Sequence, residues 1–258
     1  MRDTGLQEAI RVAGGIGALA GKIGVSQPSV SNWERVPAER VLSVETVTGV
    51  NRTTLRPDLY GEHLSPGDVD EVDAARAQEY ALLSVLLVRA PDQALLDRLS
   101  RLRGDESPLG LVHAALADAA GATTAERVER EYFDLFIGLG RGELLPYASY
   151  YLTGFLHERP LARLRECLGR LAIERTPGQA EPEDHAATLC EIMAGLASRR
   201  LAARAGADRE FFEQHLSPWI GRFFADLERA GAADFYRRVG RLGQVFVEIE
   251  TEAFGLPA

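Results

Sequence analysis

Apolar residues recur at intervals of three and four along most of the chain, the spacing that places them on one face of an α-helix. In the C-terminal segment, one apolar stripe is formed by Phe235, Val239, Leu242, Val245, Phe246, Ile249 and Phe254. The same periodicity predicts helices over 68–89, 92–103, 107–120, 124–139, 159–172, 182–205, 208–229 and 232–254. Three or four shorter helical patterns precede residue 60. Since no strand-like alternation of any length occurs, the sequence predicts an all-α fold.

Two local signals refine these helices. The stretch "TTAE", Thr123 to Glu126, has the spacing of a capping box and predicts a helix start. Pro218 lies inside the 208–229 pattern, where it removes a backbone donor and clashes with the preceding turn. We therefore expect that helix to kink or break at Pro218.

Composition and charge divide the chain into two parts. The 258 residues are 46% hydrophobic and 26% charged, which is ordinary for a globular protein with a sizeable core. Residues 1–60 carry seven Lys and Arg against six Asp and Glu, a net charge of +1, whereas the rest carries 22 against 32, a net charge of −10. The Gly-, Pro- and Ser-containing stretch 61–70 separates them. The sequence predicts a small domain at 1–60, a linker at 61–70 and a larger domain at 71–258.

Several function classes find no support in the sequence. The two cysteines, Cys167 and Cys190, have no metal-like spacing and are expected to be buried thiols in a reducing compartment. No apolar run reaches membrane-spanning length and the N-terminus has no secretory pattern, so we expect a cytoplasmic protein. No catalytic triad order, metal-ligand cluster or phosphate-binding glycine loop stands out, and the histidines are isolated. We expect no enzyme, no metal and no permanently bound cofactor.

The first domain contains the spacing of a helix-turn-helix. In "IGALAGKIGVSQPSVSNWER", residues 16–35, Ala20 is small where two helices must cross, and Gly24 suits a turn with positive φ. Val30 is expected to anchor the second helix, Ser26 to cap it, and Trp33 to face inward. Amides and hydroxyls on the outer face suit base edges, and nearby cations suit phosphates. The candidate DNA-binding residues are Lys22, Ser26, Gln27, Ser29, Ser31, Asn32, Arg35 and Arg40.

About the first sixty residues resemble the Cro/repressor-like helix-turn-helix family, specifically its YdaS-like branch. The resemblance runs from "LQEAIRVAGG" to "VTGVNRTTLRPDLY". It implies a DNA-binding head that acts as a dimer, because a single domain of this kind binds an operator weakly. The alternative is that the fold serves here as a protein-interaction module, since a fold does not fix a function.

Three stretches of the larger domain are candidates for chemistry. In "EYFDLFIG", residues 131–138, Tyr132, Leu135, Phe136 and the following Leu139 fall on one helical face, which is typical of core packing. The stretch "LLPYASYYLTG", residues 144–154, is rich in tyrosine and suits either packing or the lining of a peptide groove. The stretch "EPEDH", residues 181–185, precedes an apolar helix. There Pro182 fits the first helical position and the acids complement the helix dipole, but a charged partner could also dock on them.

In that order, "EYFDLFIG", "LLPYASYY" and "EPEDH" resemble the TorD/DmsD family of molybdoenzyme maturation chaperones, over residues 70–256 or so. Leu145 stands where many members carry a second proline. The resemblance implies an all-helical bundle in the cytoplasm that binds the twin-arginine signal peptide, or the apo-form, of a molybdopterin-dependent oxidoreductase. It would assist insertion of the molybdopterin cofactor into that client. The stretch 150–169 is similar to members associated with formate dehydrogenase.

Guanidinium groups prefer bidentate carboxylate partners, and an apolar peptide prefers an aromatic groove. His185 could hydrogen-bond the peptide or respond to pH. The candidate client-binding residues are therefore Tyr132, Phe136, Pro146, Tyr147, Ser149, Tyr150, Glu181, Glu183, Asp184 and His185. The alternative function is a helix-turn-helix transcription regulator whose helical domain senses a client or a ligand.

Overall fold

The computed structural model describes residues 3–57, 69–174 and 181–256. The chain forms two compact units, Met1–Leu64 and Ser65–Ala258. Throughout the described ranges the regular elements are helices, so the all-α prediction is confirmed, and an isolated β-bridge joins Tyr147 to His185. Most of the predicted linker at 61–70 lies outside these ranges. In the same parts of the chain, no helix is both long and apolar enough to cross a bilayer, and no cluster of His, Cys, Asp and Glu could bind a metal.

The described part of the N-terminal unit, residues 3–57, contains five short α-helices around its own core. They are α1 (Thr4–Ala13), α2 (Ile16–Ile23), α3 (Gln27–Ser31), α4 (Val41–Thr48) and α5 (Arg52–Leu55), with a 3-10 turn at Ala38–Arg40. Gly24 ends α2 with φ 70°, and Val30 is fully buried, as predicted. Trp33 is half-buried against the same core. The predicted helix-turn-helix is therefore present in α2 and α3.

The larger unit contains ten described α-helices. They are α6 (Glu71–Val88), α7 (Gln93–Leu99), α8 (Pro108–Gly121), α9 (Ala125–Tyr132), α10 (Ala148–Thr153), α11 (Arg159–Arg170), α12 (Ala186–Ala197), α13 (Ala207–Phe211), α14 (Ile220–Arg229) and α15 (Phe235–Gly255). Helix α12 packs against α6, while α15 packs against α14 and α8. Ten of the twelve residues of α12 are buried, so this helix runs through the core of the unit.

Two α-helices continue as single π-helical turns. Helix α9 continues through Phe133–Ile137, and α13 continues through Phe212–Leu216. Such turns admit one extra residue and are frequent at functional sites. The second turn is followed by the break that Pro218 predicted, since α14 begins only at Ile220. The predicted helix 208–229 is therefore three consecutive segments.

Three details of the sequence prediction are wrong. The helix predicted over 182–205 begins only at Ala186 and ends at Ala197, so Pro182 is not at its first position. Leu139 is 97% exposed and not on the core face of its helix, because the π turn shifts the register and the element ends at Gly138 with φ 61°. Ile249 of the C-terminal stripe is 39% exposed.

Candidate functional site

The stretch "EYFDLFIG" builds an aromatic wall. The rings of Tyr132 and Phe136 lie 4.9 Å apart, and each packs against Tyr236 of α15, at 5.8 and 5.5 Å. These spacings are typical of favourable tilted and edge-on aromatic pairs. The Tyr132 hydroxyl donates to the Leu87 carbonyl oxygen at 3.2 Å, and burial raises the pKa of Tyr132 to about 12. Both rings keep part of their surface exposed, so they can line a binding surface.

Glu131 holds this wall against the last helix. Its buried carboxylate accepts three backbone hydrogen bonds, from the amides of Asp234 (2.8 Å), Phe235 (3.1 Å) and Tyr236 (2.6 Å). These amides belong to the start of α15, where backbone N–H groups have no helical partner. Burial raises the pKa of Glu131, and the three donors oppose that effect. The sequence analysis did not single out Glu131, because its partners lie about a hundred residues away.

Glu143 lies on the C-terminal side of the π turn and forms a second set of hydrogen bonds to the segment before α15. Its carboxylate accepts from the amides of Gly231 (2.7 Å) and Ala232 (3.1 Å), in the loop before α15. In addition, the Glu143 amide donates to the Asp134 carbonyl oxygen at 3.1 Å. Together, Glu131 and Glu143 fix both ends of the stretch 131–143 to residues 231–236, the loop before α15 and the start of that helix.

The tyrosine stretch and the acidic stretch pair directly. An antiparallel β-bridge joins Tyr147 to His185. The Ala148 amide donates to the Asp184 carbonyl oxygen at 3.0 Å, and the Ala186 amide donates to the Pro146 carbonyl oxygen at 2.8 Å. This pairing consumes the backbone groups that an earlier helix start would have used, which explains why α12 begins at Ala186. It also brings the second and third predicted motifs together.

Asp184 lies beneath the surface, where it is hydrogen-bonded to the tyrosine-rich stretch 144–154, which we call the tyrosine loop. It is 1% exposed, and its Oδ2 accepts from the Ser149 amide at 2.8 Å. Ser149 is fully buried as well, and Pro146 is buried beside it. Asp184, Ser149 and Pro146 were all predicted to bind the client. They are instead buried and support the surface from the inside.

His185 caps α12. Its Nδ1 accepts from the Ala187 amide at 3.1 Å, and its ring lies edge-on to Tyr147 at 5.1 Å. Burial lowers the pKa of His185, although the charges of Glu181 and Asp184 act in the opposite direction. The imidazole is thus neutral near pH 7. Its first role is to accept a hydrogen bond from a backbone amide at the start of α12 that has no partner within the helix.

The exposed acid of this region is Glu181. The Tyr147 hydroxyl donates to its carboxylate, and burial together with this hydrogen bond raises the pKa of Tyr147. The negative charge of Glu181 also contributes to the raised pKa of Tyr132, so the two groups are close enough to interact electrostatically. Glu183 faces another way and pairs with Arg165 of α11 at 2.8 Å. The structure therefore brings Tyr132, Phe136, Tyr147 and Glu181 to one partly exposed surface.

Tyr150 lies at the edge of that region and has a cationic neighbour. Arg141 donates to its hydroxyl at 2.8 Å, and the guanidinium carbon lies 5.4 Å from the ring centre. The Tyr151 hydroxyl instead donates to Asp226, while its ring packs on Trp219 and Phe223. The two tyrosines thus have different surroundings, and only Tyr150 was among the predicted site residues.

The second candidate surface lies on the N-terminal unit. Val30 of helix α3 is buried. The polar side chains of this helix and of its two flanking residues are exposed, namely those of Ser26, Gln27, Ser29, Ser31 and Asn32. Ser26 caps the helix at Ser29 N (3.4 Å), and the two serine hydroxyls lie 2.8 Å apart. Lys22 and Arg35 are exposed, whereas Arg40 is half-buried. Lys22 also donates to the Ala13 carbonyl oxygen at 3.3 Å.

Comparison with known families gives two matches. The sequence model of the family described as nitrate reductase delta subunit matches residues 103–225. The model of the family described as bacterial toxin YdaS matches residues 6–64. The first match contains the aromatic wall, the tyrosine loop and the acidic stretch, and the second contains the whole helix-turn-helix.

Curated relatives carry the name chaperone protein TorD. The protein of that name from Vibrio cholerae El Tor is 32% identical over 127 residues, which are 46% of this chain and 58% of the relative. The chain thus spans little more than half the length of this relative. The one from Shewanella loihica is 25% identical over 211 residues, 73% of this chain and 97% of the relative. These names agree with the expectation of a non-enzymatic protein.

Among solved structures, a candidate redox enzyme maturation protein from Archaeoglobus fulgidus is similar, with 19% identity and a TM-score of 0.44. That alignment covers 67% of this chain and 93% of the other. The family matches each fall on one compact unit and include the motifs described above. The N-terminal unit is therefore similar to the YdaS family, and the larger unit is similar to the nitrate reductase delta subunit family and to the TorD proteins.

Proposed function

We propose that the larger unit is a cytoplasmic maturation chaperone that binds the twin-arginine signal peptide, or the apo-form, of a molybdopterin-dependent oxidoreductase. The observation that carries this proposal is the meeting of three separate stretches at one surface. The aromatic wall, Tyr147 and the Glu181 carboxylate lie together although 49 positions separate Tyr132 from Glu181. The names of the TorD relatives support the same function.

The chemistry of this surface suits a cationic, partly apolar peptide. A guanidinium group can form two parallel hydrogen bonds with the Glu181 carboxylate, and the neighbouring ring of Tyr147 offers a face for stacking. Apolar side chains next to the cationic head can pack on Tyr132 and Phe136. The net charge of −10 outside residues 1–60 further attracts such a peptide.

The client in this proposal is an enzyme that acquires its molybdopterin cofactor after its chain has folded in part. The chaperone binds no cofactor permanently and holds the client until insertion is complete. The similarity of residues 150–169 to formate-dehydrogenase-associated members favours a formate dehydrogenase as the client. Co-purification of the chain from its own cells, followed by identification of the bound oxidoreductase, tests that assignment.

Titration of a labelled twin-arginine peptide onto the full chain tests the binding step. Glu181→Gln should weaken binding about threefold to tenfold and reduce its salt dependence, because one charge-assisted contact is lost. Glu106→Gln is a matched control, since Glu106 is an exposed acid of the turn before α8. No binding by the folded wild-type chain would contradict the proposal, as would equal affinities for the two variants.

We also propose that the N-terminal unit binds DNA, which makes the chain a transcription regulator that senses its client or a ligand. The exposed polar side chains around α3 carry this second proposal. A DNA shift assay at stated salt should show sequence-specific binding that Gln27→Ala and Asn32→Ala reduce. Thr46→Ala, on the exposed side of α4, is the control. Binding that is salt-sensitive but independent of sequence would contradict a regulator and leave an interaction module.

The two proposals predict coupling if one chain performs both functions. An effector that changes DNA affinity must have its own affinity changed by DNA by the same factor. DNA binding should therefore be measured with and without saturating client peptide. Identical affinities in both conditions would show that the two functions are independent.

A further inference from the structure

A groove runs along the exposed edge of α12. It consists of two adjoining hollows of 420 and 300 Å³, which share Thr188, Glu191 and Arg200. The larger hollow lies between α11 and α12, and the smaller one lies between α12 and α6. We call this feature the α12 groove. Each hollow is within the size range of pockets that bind small ligands or peptide side chains.

The floor of the α12 groove is aliphatic. The larger hollow is lined by Leu168, Ile173, Ile192 and Leu201. In the smaller hollow, Val85 and Val88 of α6 are 42% and 58% exposed. Exposed apolar residues are ordinary when they are scattered, but here they line one concave surface.

Charged groups stand along the walls and connect the groove to the candidate client site. The larger hollow is bordered by the carboxylates of Glu174, Glu183 and Glu191 and by the guanidinium groups of Arg165 and Arg200. Glu183 and Arg165 form an ion pair at 2.8 Å. Glu183 also belongs to the turn that carries Glu181, only two residues away. The groove therefore begins at the turn that carries Glu181.

We propose that the α12 groove binds the apolar segment that follows the cationic head of the client peptide, with the head at Glu181 and Tyr147. This inference rests on the proposed chaperone function and adds the path of the peptide. The choice of this occupant rests on the continuity of the groove with the turn that carries Glu181 and on the charged groups along the groove walls. A peptide held by its cationic end at Glu181 enters the groove past Glu183, finds an aliphatic floor there, and meets more carboxylates than guanidinium groups on the walls.

Two valines of α6 provide a matched experiment. Val88 lines the groove and is 58% exposed, whereas Val72 is 68% exposed and lines neither hollow. We would compare Val88→Gln and Val72→Gln in the full chain. The probes are a synthetic peptide with two adjacent arginines followed by a run of leucine and alanine, and the same peptide cut after the arginines. Both substitutions are on the surface, so circular dichroism and thermal unfolding should match the wild-type chain.

Val88→Gln should weaken the long peptide about fivefold, because a side chain buried on binding becomes polar, and should leave the short peptide unchanged. Val72→Gln should change neither affinity. Thr188→Trp, which fills the shared part of both hollows, should likewise weaken only the long peptide. Equal binding of the long peptide by wild type, Val88→Gln and Thr188→Trp would overturn the groove while leaving the proposed function intact. Failure of the wild type to bind either peptide would overturn the proposed function itself.

Discussion

The amide of Ser149 donates a 2.8 Å hydrogen bond to Oδ2 of Asp184, in a place where both residues are almost fully buried. This bond joins the tyrosine loop to the acidic turn from the inside. Asp184 therefore positions Tyr147 and His185, and Glu181 is the acid that a partner can reach. An effect of an Asp184 substitution on client binding would then follow from a displaced loop.

Asp184→Ala should lower the free energy of unfolding by about 2–3 kcal/mol, because it leaves the buried Ser149 amide without an acceptor. Asp184→Asn retains an oxygen of similar position and should cost about 1 kcal/mol. Urea denaturation of both variants measures the difference. Equal stabilities for wild type and Asp184→Ala would contradict the role of this carboxylate in holding the loop.

Glu131→Ala should lower the free energy of unfolding by about 3 kcal/mol, since three amides at the start of α15 lose their acceptor. Glu131→Gln keeps one acceptor oxygen and should fall between the alanine variant and the wild type. Glu129→Ala, at an exposed position of the same helix, should change stability by less than about 0.5 kcal/mol. A Glu131→Ala variant as stable as Glu129→Ala would show that α15 needs no such cap.

Glu250→Ala should be among the most destabilising single changes in the larger unit. Glu250 is 1% exposed and accepts from Arg76 Nε (2.8 Å), Arg76 Nη2 (3.0 Å) and the Tyr80 hydroxyl (2.9 Å). The substitution leaves the buried Tyr80 hydroxyl without its acceptor and removes one of the three carboxylates around Arg76, which keeps Asp73 and Asp208, so we expect a loss of about 2–4 kcal/mol. Chemical denaturation should show this loss, and the double variant Arg76→Met, Glu250→Leu should recover part of it. If the double variant is no more stable than Glu250→Ala, the loss of stability comes mainly from altered packing and not from the charge left behind on Arg76.

The ion pair between His113 and Glu79 should make stability depend on pH. His113 Nε2 lies 2.8 Å from Glu79 Oε1, and this hydrogen bond raises the pKa of His113 above its ordinary 6.5, against the effect of burial. Protonated His113 therefore stabilises the fold fully below pH 6.5, and the contribution is lost as the pH rises through the raised value. Burial lowers the pKa of His185 and His215, whose contributions are instead lost as the pH falls below 6.5.

His113→Gln should isolate the first of these effects. The difference in unfolding free energy between wild type and variant should be largest below pH 6.5 and shrink as the pH rises from 6.5 through the raised His113 pKa. His157→Gln is the control, because the His157 side chain is exposed. A difference that stays constant across this pH range would mean that the pair does not titrate with folding.

The helices themselves were predictable, because apolar periodicity directly reflects which face must be buried. Six of the eight predicted long segments contain a helix whose ends agree to within a few residues, if the π-helical continuation of α9 is included; the exceptions are 182–205 and 208–229, which divides into three segments. Cys167 and Cys190 are free buried thiols, as their spacing indicated. The start of α12 was mispredicted because "EPED" has good helix-start chemistry locally, and only pairing with residues 146–148 overrides it.

The features of the site that could not be predicted from the sequence depend on partners that lie far away along the chain. The acid–proline pattern drew attention to Glu183 and Asp184 equally, yet one pairs with Arg165 and the other lies in the core. Glu131 and Glu143 look like ordinary surface acids until residues 231–236 are placed beside them. The π turn at Phe133–Ile137 has no periodic signature either, since one added residue shifts the register only locally.

The capping of α15 by Glu131 has a consequence for synthesis of the chain on the ribosome. The aromatic wall packs against Tyr236, and Glu131 beside it binds amides that are synthesised about a hundred residues later. Domains fold as units while the N-terminal part emerges first. The helix-turn-helix can thus reach its fold early, whereas the aromatic wall is completed only after α15 has left the exit tunnel.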